Sequence, residues 1–478
     1  MKSVARGGLG VVLVLLLAWS SGGCRHAAPR AGGGLEIGAA EFDITPPVGY
    51  RLAGYFNERL ATGTHDPLKA KAIVLRQGRE QVALVFCDLV GVSLELTAKA
   101  RARAGRLTGI PVTNIVISAT HSHTGPLLDG PLRQFFHDAA VAKHGTDPQE
   151  PGDYPALLLE RLVKAIAAAQ ARLRPAELAV GVTPREGLTF NRRYWMKNGK
   201  VAFNPGFLNP NIVRPAGPTD PTVGILLARD AATGQPFAGA TVFAMHSDTV
   251  GGTEFSADYE YYLERTLRRG FGSNYISAFA AGTCGDLNHI DVSKAEMPKG
   301  FAMAEYAGSA LGRAVLEAAP ALRVIDRPAL AVRSRKLYLP LQTVTPVQIA
   351  EARTNMARFY DPETDFLTKV AAVKTLDLAS RGSSWPMEVQ VIRLDARTAL
   401  VCLPCEIFVE LGLAIKRGSP FEDTQVLSIC NDRPSYVPTE KAFKEGSYEI
   451  TNARVAPGTG EKLVETALKL LRELSEPK

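Results

Sequence analysis

Charge is gathered nowhere in this chain. Its 55 lysines and arginines exceed its 48 aspartates and glutamates by 7, spread over 478 residues. No basic arm with interleaved aromatics occurs, which argues against nucleic acid as a partner. Repeats and low-complexity tracts are lacking after residue 34, and no Gly/Ser linker follows it. One large unit is therefore expected in place of an array of modules. A disulfide framework is also disfavoured. Setting Cys24 aside as part of a leader leaves Cys87, Cys284, Cys402, Cys405 and Cys430, an odd set. Cys402-Leu-Pro-Cys405 is a lone CxxC without a second pair, so no zinc knuckle is read there. Cys402 lies in the apolar run Leu400–Leu403 and is expected as a buried strand residue, a Cys402–Cys405 disulfide being the alternative.

The N-terminal apolar run, Val11–Trp19, is too short to span a bilayer. With Lys2 and Arg6 before it, it reads as the core of an export signal. Ser21-Gly22-Gly23-Cys24 then resembles a bacterial lipoprotein signal, with Cys24 as the acylated residue. The expected organisation is a signal peptide over 1–23, a flexible tether over 24–34 and a catalytic domain over 35–478. The mature protein is expected in the cell envelope, in the periplasm or on the outer membrane, or else secreted.

Strand-like and helix-like segments alternate along the rest of the chain. Short β-rich runs such as Gln81–Asp88 suit a sheet centre, and Tyr154–Leu173 has helical amphipathic spacing. Residues 128–153 show little periodicity and are expected as a long loop or lid. Gly187–Tyr194 reads as a strand, Asp258–Arg269 as a helix capped by Ser256, and Glu388–Leu394 with Thr398–Leu403 as a hairpin. The fold class is α/β, a single large domain of mixed β-sheets flanked by helices.

Chemistry concentrates in Asn114–Pro126 (NIVISATHSHTGP), where a β-rich run ends in two histidines at i and i+2. Alternation along a strand would point His121 and His123 the same way. His246 also follows a β-rich run, Ala240–His246. Of the other five histidines, His26 is in the tether, His137 and His144 are in the polar loop, and His65 and His289 are at turns. Any one strand-end histidine is explained by an ordinary structural role; three together tilt the reading toward a site.

THSHTGP resembles the THTHSGP-type signature of the neutral, non-lysosomal ceramidases, and further segments follow that family in order. AAEFDITPPVG, GTHDPLKAKAIVL, Asn191-Arg192, VFAMHSDT, Ser256-Ala257-Asp258, FAAGTCGD, Leu403-Pro404-Cys405-Glu406 and Pro434-Ser435-Tyr436-Val437 are each similar to a family motif. The resemblance runs from about residue 36 to 474 and implies the catalytic-domain fold of that family. It implies a zinc ion (Zn2+) held by His121, His246, Glu406 and Tyr436, a set of nitrogen and oxygen donors suited to zinc. His123 would then transfer protons or polarise the carbonyl, Arg192 would stabilise the oxyanion, and Asp258 would orient a histidine.

This chain also departs from the family pattern. Gly282 stands where the family has a serine in SNxGD, and Cys405 where PGE has its glycine. Lys444 takes the place of a downstream tyrosine that Tyr448 is close enough to replace. The family's C-terminal immunoglobulin-like domain has no counterpart before residue 478, so the catalytic part alone is expected. These losses fall more on the substrate side than on the metal side. The expected activity is zinc-dependent hydrolysis of the amide of ceramide or a related N-acyl lipid. The alternatives are a hydrolase of the same fold acting on a non-lipid amide or ester, and a lipid- or glycan-binding lipoprotein that has lost catalysis. Tyr436 alone reads as a half-buried aromatic, and Glu406 as a charge at a helix start.

Overall fold

The computed structural model describes residues 34–476, so the signal peptide, Cys24 and nearly all of the tether lie outside the described residues. Strands β1 (Leu35–Asp43), β2 (Lys69–Gln77), β3 (Glu80–Cys87), β4 (Ile115–Ala119), β5 (Arg174–Pro184), β6 (Thr222–Asp230), β7 (Pro236–Phe243) and β8 (Ile276–Ala281) form one sheet. Its order is β8-β7-β6-β5-β1-β2-β3-β4, with the short strand Arg323–Val324 added beside β5. Pairing is antiparallel except for one parallel pair at each end, β7 with β8 and β3 with β4. A second sheet holds β9 (Ala331–Pro340), β10 (Ser384–Arg393), β11 (Thr398–Cys402) and β12 (Asp423–Leu427) in sequence order.

Both faces of the large sheet are buried, which is why its strands read as continuous apolar runs. Alternate residues serve different cores. Ala72, Val74, Ala83 and Val85 meet helices α1 (Leu94–Thr108), α3 (Tyr154–Ala171), α4 (Tyr259–Phe271) and α5 (Phe301–Ala318). Ile73, Leu75, Val82 and Leu84 meet Ile392, Leu400, Cys402 and Leu427 of the second sheet. That sheet buries Val389, Val391 and Val401 under α8 (Val409–Gly418) and α9 (Thr459–Ser475). The result is four layers, helices–sheet–sheet–helices, and the expected mixed α/β class holds. The five cysteines are all free and buried, Cys402 in β11 as expected. No helix among the described residues is long and apolar enough to cross a membrane.

Some local expectations fail. Residues 130–144 form helix α2 (Gly130–His144), where a loop was expected. Phe136 is its one buried residue, so the sequence carries hardly any apolar stripe to detect. It packs beside Phe359 and Val373 of the helical pair α6 (Pro346–Ala357) and α7 (Phe366–Ala379) and the turn between them. Buried Arg51 clamps the following turn through Asp147 (2.7 Å) and Glu150 (3.3 Å), and His137 joins Asp147 (2.8 Å). This segment is therefore fixed. Gly187–Tyr194 breaks into the pieces Phe190–Asn191 and Arg193–Met196. The cap of α4 is Asp258, at φ 62°, which accepts from Tyr259 N at 2.7 Å. Ser256, the expected cap, instead donates to Asp66 Oδ2 at 2.6 Å.

Asp66 also accepts from Ala257 N at 2.7 Å, and burial pushes its pKa from 3.8 up to about 7. A carboxyl whose folded pKa is raised binds its proton more tightly folded than unfolded, so stability falls as pH rises from about 4 to about 7. Asp66→Asn removes that titration. The melting-temperature loss between pH 5 and pH 8 should be smaller in the variant than in the wild type. Equal losses in scanning calorimetry would show that Asp66 does not titrate in this range.

Candidate metal centre

Three chain crossings assemble the site. Strands β4 and β8 lie at opposite ends of the large sheet, and the segment after β12 bonds to both. Ser428 N donates to Ala281 O (2.8 Å), Ala119 N to Ile429 O (3.2 Å) and Asn431 N to Ile117 O (2.7 Å). This stitching curls the sheet so that the turn after β4 meets the segment after β7. His121 N then donates to Leu89 O (2.9 Å), just beyond β3, and His123 N to Ser247 O (3.0 Å), next to His246. Glu406 arrives on the two-residue strand Glu406–Ile407, paired in parallel with Tyr436–Val437, which sets Glu406 beside Tyr436.

The strand geometry expected for His121 and His123 is not what aligns them. Strand β4 stops at Ala119, and His121 has φ 77°, so a left-handed turn brings the two rings together edge to face at 4.9 Å. His123 lies against Gly54, where a Cβ would come within 2.6 Å of its ring, so only glycine fits there.

His121 Nε2 lies 3.4 Å from His123 Nε2 and 3.4 Å from Glu406 Oε2, and His246 Nε2 is 3.4 Å from the same oxygen. The tautomers follow from the far side of each ring. His121 Nδ1 donates to Val90 O (2.7 Å) and His246 Nδ1 to Cys284 O (2.8 Å), because a carbonyl only accepts. In the neutral form of each ring, this tautomer turns the Nε2 lone pair toward the carboxylate oxygen. His246 Nε2 and Glu406 Oε2 are buried without a hydrogen-bond partner. Three such buried atoms converging on one point are suited to a cation. Tetrahedral ligands about 2.05 Å from zinc stand roughly 3.3–3.4 Å apart, so the donors fit that ion.

Burial and the neighbouring His121 hold His123 well below the ordinary histidine pKa, and burial together with Arg192 lowers His246. Burial alone would raise Glu406, but His121 and His246 outweigh it and keep the carboxyl well below its usual range.

The remaining sequence candidates fall around this cluster. Tyr436 stacks beside His246 with ring centres 6.4 Å apart, and its hydroxyl accepts from Arg192 Nη2 (3.1 Å). Burial, then Glu406, pushes Tyr436 well above the usual phenol pKa. Arg192 does not face the cavity as an oxyanion donor would. It is buried, with Nε on Glu449 (2.9 Å) and Nη2 on Gly285 O (2.8 Å) as well as on Tyr436. Asp258 touches no histidine; it accepts from Thr249 Oγ1 and Val250 N (3.0 Å), fixing the loop behind His246. His121 and His246 are oriented by backbone carbonyls, which leave no side-chain signal in a sequence. Tyr448 lines the cavity 5.7 Å, ring to ring, from Tyr436, its pKa pushed by burial up to about 12.

The cavity over the cluster has a volume of about 550 Å³. Val92, Leu94, Leu127 and Leu132 give it an apolar wall. Asp248, paired with His289 at 3.2 Å, and Glu449 were not singled out in the sequence, since each acts through a partner distant along the chain.

No family model matches the chain. Over 265 residues it is 25% identical to neutral ceramidase of Pseudomonas aeruginosa, covering 53% of this chain and 37% of that protein. Over 95 residues it is 34% identical to neutral ceramidase 3 of Arabidopsis thaliana, covering 19% of this chain and 13% of that protein. The sequence matches thus span little more than a third of the curated relatives at most. The crystal structure of the Pseudomonas aeruginosa neutral ceramidase superposes with a TM-score of 0.70 at 19% identity, over 92% of this chain and 74% of that one. A structure of ceramidase complexed with C2 gives 0.69 at 17% identity, over 92% and 75%. The chain is thus similar to the Pseudomonas aeruginosa neutral ceramidase in sequence over 53% of its length and shares that protein's fold over 92%.

Proposed function

We propose that the chain is a zinc-dependent amidohydrolase acting on ceramide or a related N-acyl lipid. The observation that carries this is the convergence of His121 Nε2, His246 Nε2 and Glu406 Oε2 at 3.4 Å spacings, with two of the three atoms lacking any partner. These three residues would hold the ion, with Tyr436 beside them. Zinc supplies a Lewis acid, which brings the pKa of water to about 7. The likeness to neutral ceramidases in sequence and fold supports an amide substrate.

The chain's own residues supply the rest. His123 Nε2 faces the cluster, 3.4 Å from His121 Nε2, and its Nδ1 is buried without a partner. It is suited to take the proton of the attacking water and deliver it to the departing amine nitrogen. Arg192 acts through Tyr436, holding the phenol oxygen at 3.1 Å. The apolar wall of Val92, Leu94, Leu127 and Leu132 excludes water and would receive the acyl chain. Export, with a lipid on Cys24, would bring this cavity to a membrane that contains such substrates.

The test is fatty-acid release from a short-chain ceramide before chelation, after chelation and after zinc is restored. Activity that disappears and returns with zinc is expected. No release from protein carrying one zinc per chain would keep the metal and discard ceramide. No release and no zinc would favour a binding lipoprotein.

A further inference from the structure

We propose that Arg433 selects N-acyl amino acids among the amide lipids, binding the carboxylate beside the scissile amide; this rests on the amide-hydrolysis reading above. Arg433 lines the same cavity as the histidine cluster, its side chain 28% exposed. Its Nη1 stands 4.0 Å from Glu406 Oε1, while Oε2 of the same carboxylate faces His121 and His246. The guanidinium therefore lies across the Glu406 carboxylate from the two histidines.

Among the described residues the guanidinium's one ion-pair contact is with Glu406 Oε1, at 4.0 Å. None of them accepts a hydrogen bond from it, and only the backbone N–H of Arg433 donates one, to Asp432 Oδ1 (2.8 Å). The other arginines of the cavity wall differ. Arg381 pairs with Asp377 at 2.8 Å and Arg454 with the same carboxylate at 2.9 Å. Asp432, the neighbouring carboxylate, is taken by Trp385 Nε1 (2.6 Å) and Leu94 N (3.1 Å).

The arm is also placed by the fold. A Cβ at residue 91 would come 2.1 Å from Arg433 Cδ and 2.2 Å from Nε, so Gly91 leaves the channel in which the arm lies. A planar fork aimed into a cavity is suited to a carboxylate, which it meets through two hydrogen bonds. The α-carboxylate of an N-acyl amino acid is two bonds from the amide nitrogen, which matches the closeness of Arg433 to Glu406. Its acyl chain would lie on the apolar wall, as for any N-acyl lipid.

The experiment compares N-dodecanoylglycine with N-dodecanoylethanolamine, equal in chain length and differing in the anionic group. Wild-type kcat/KM should favour the glycine conjugate by about 10- to 100-fold, the worth of a charge-assisted bond. Arg433→Gln should bring that ratio close to one, and Arg433→Lys should keep part of it, since a point charge remains without the fork. A wild-type ratio near one, or one unchanged in Arg433→Gln, would overturn the assignment. Should neither amide be cleaved, the hydrolase reading fails, and calorimetric binding of the two compounds decides the carboxylate site separately. Tighter binding of the glycine conjugate that Arg433→Gln abolishes would sustain the site; equal binding would remove it.

Discussion

His246→Ala protein, dialysed against buffer, should carry no zinc and should hydrolyse the amide substrate at least about two orders of magnitude more slowly than wild type. The loss should exceed the 10- to 100-fold typical of partners that only orient a ligand. His246 and His121 are the two histidines whose Nδ1 is held by a carbonyl, Cys284 O and Val90 O, so their Nε2 lone pairs are aimed before any ion arrives. Removing either leaves a single pre-aimed imidazole beside Glu406. His121→Ala should therefore match His246→Ala. His123 has no such anchor, its Nδ1 being buried without a partner. His123→Ala should weaken zinc by about 10- to 100-fold and still bind it at millimolar metal, while turnover stays low. Metal content by elemental analysis, with circular dichroism to check the fold, reads all three. Full zinc occupancy in His246→Ala would remove the site as drawn.

What could be read from the sequence followed the physics of each signal. The core strands were visible because both faces of the large sheet are buried, so runs such as Gln81–Asp88 had no polar side to confuse them. Helix α2 was missed because Phe136 is its one buried residue. For the site, the strand-end histidines His121, His123 and His246, and the Glu406 and Tyr436 that the family resemblance added, are brought together by the fold, but two supporting roles expected from that resemblance differ in the geometry. Arg192 turns inward to Glu449, and Asp258 holds a loop. Both depend on which partner lies opposite after folding, and the partners are up to 257 residues away along the chain. Even the correct pairing of His121 with His123 had the wrong reason, since a turn at φ 77° aligns them and no strand does.

Arg192→Met should lower both stability and turnover, whereas Arg193→Met should lower stability alone. The two arginines share one carboxylate: Glu449, fully buried, accepts from Arg192 Nε at 2.9 Å and from Arg193 Nη1 at 3.3 Å. Arg193 adds Glu445 (2.9 Å) and Gly446 O (2.9 Å). Breaking a buried pair outright costs about 3–5 kcal/mol; here Glu449 keeps the other arginine, so each single variant should lose less than that. Urea midpoints should fall in both variants. Their second effects differ, because only Arg192 reaches the site, through the hydroxyl of Tyr436 at 3.1 Å. Without it the phenol loses its donor, and turnover of the folded, zinc-loaded protein should drop a further 10- to 100-fold, the range for partners that orient a metal-site residue. Rates are to be compared at one common temperature below the melting onset of the least stable variant, so that unfolding does not count as lost chemistry. Equal loss of turnover in the two variants would mean that the arginine pair only braces the fold. A loss confined to Arg192→Met would place the reach from Glu449 through Arg192 to Tyr436 inside the mechanism.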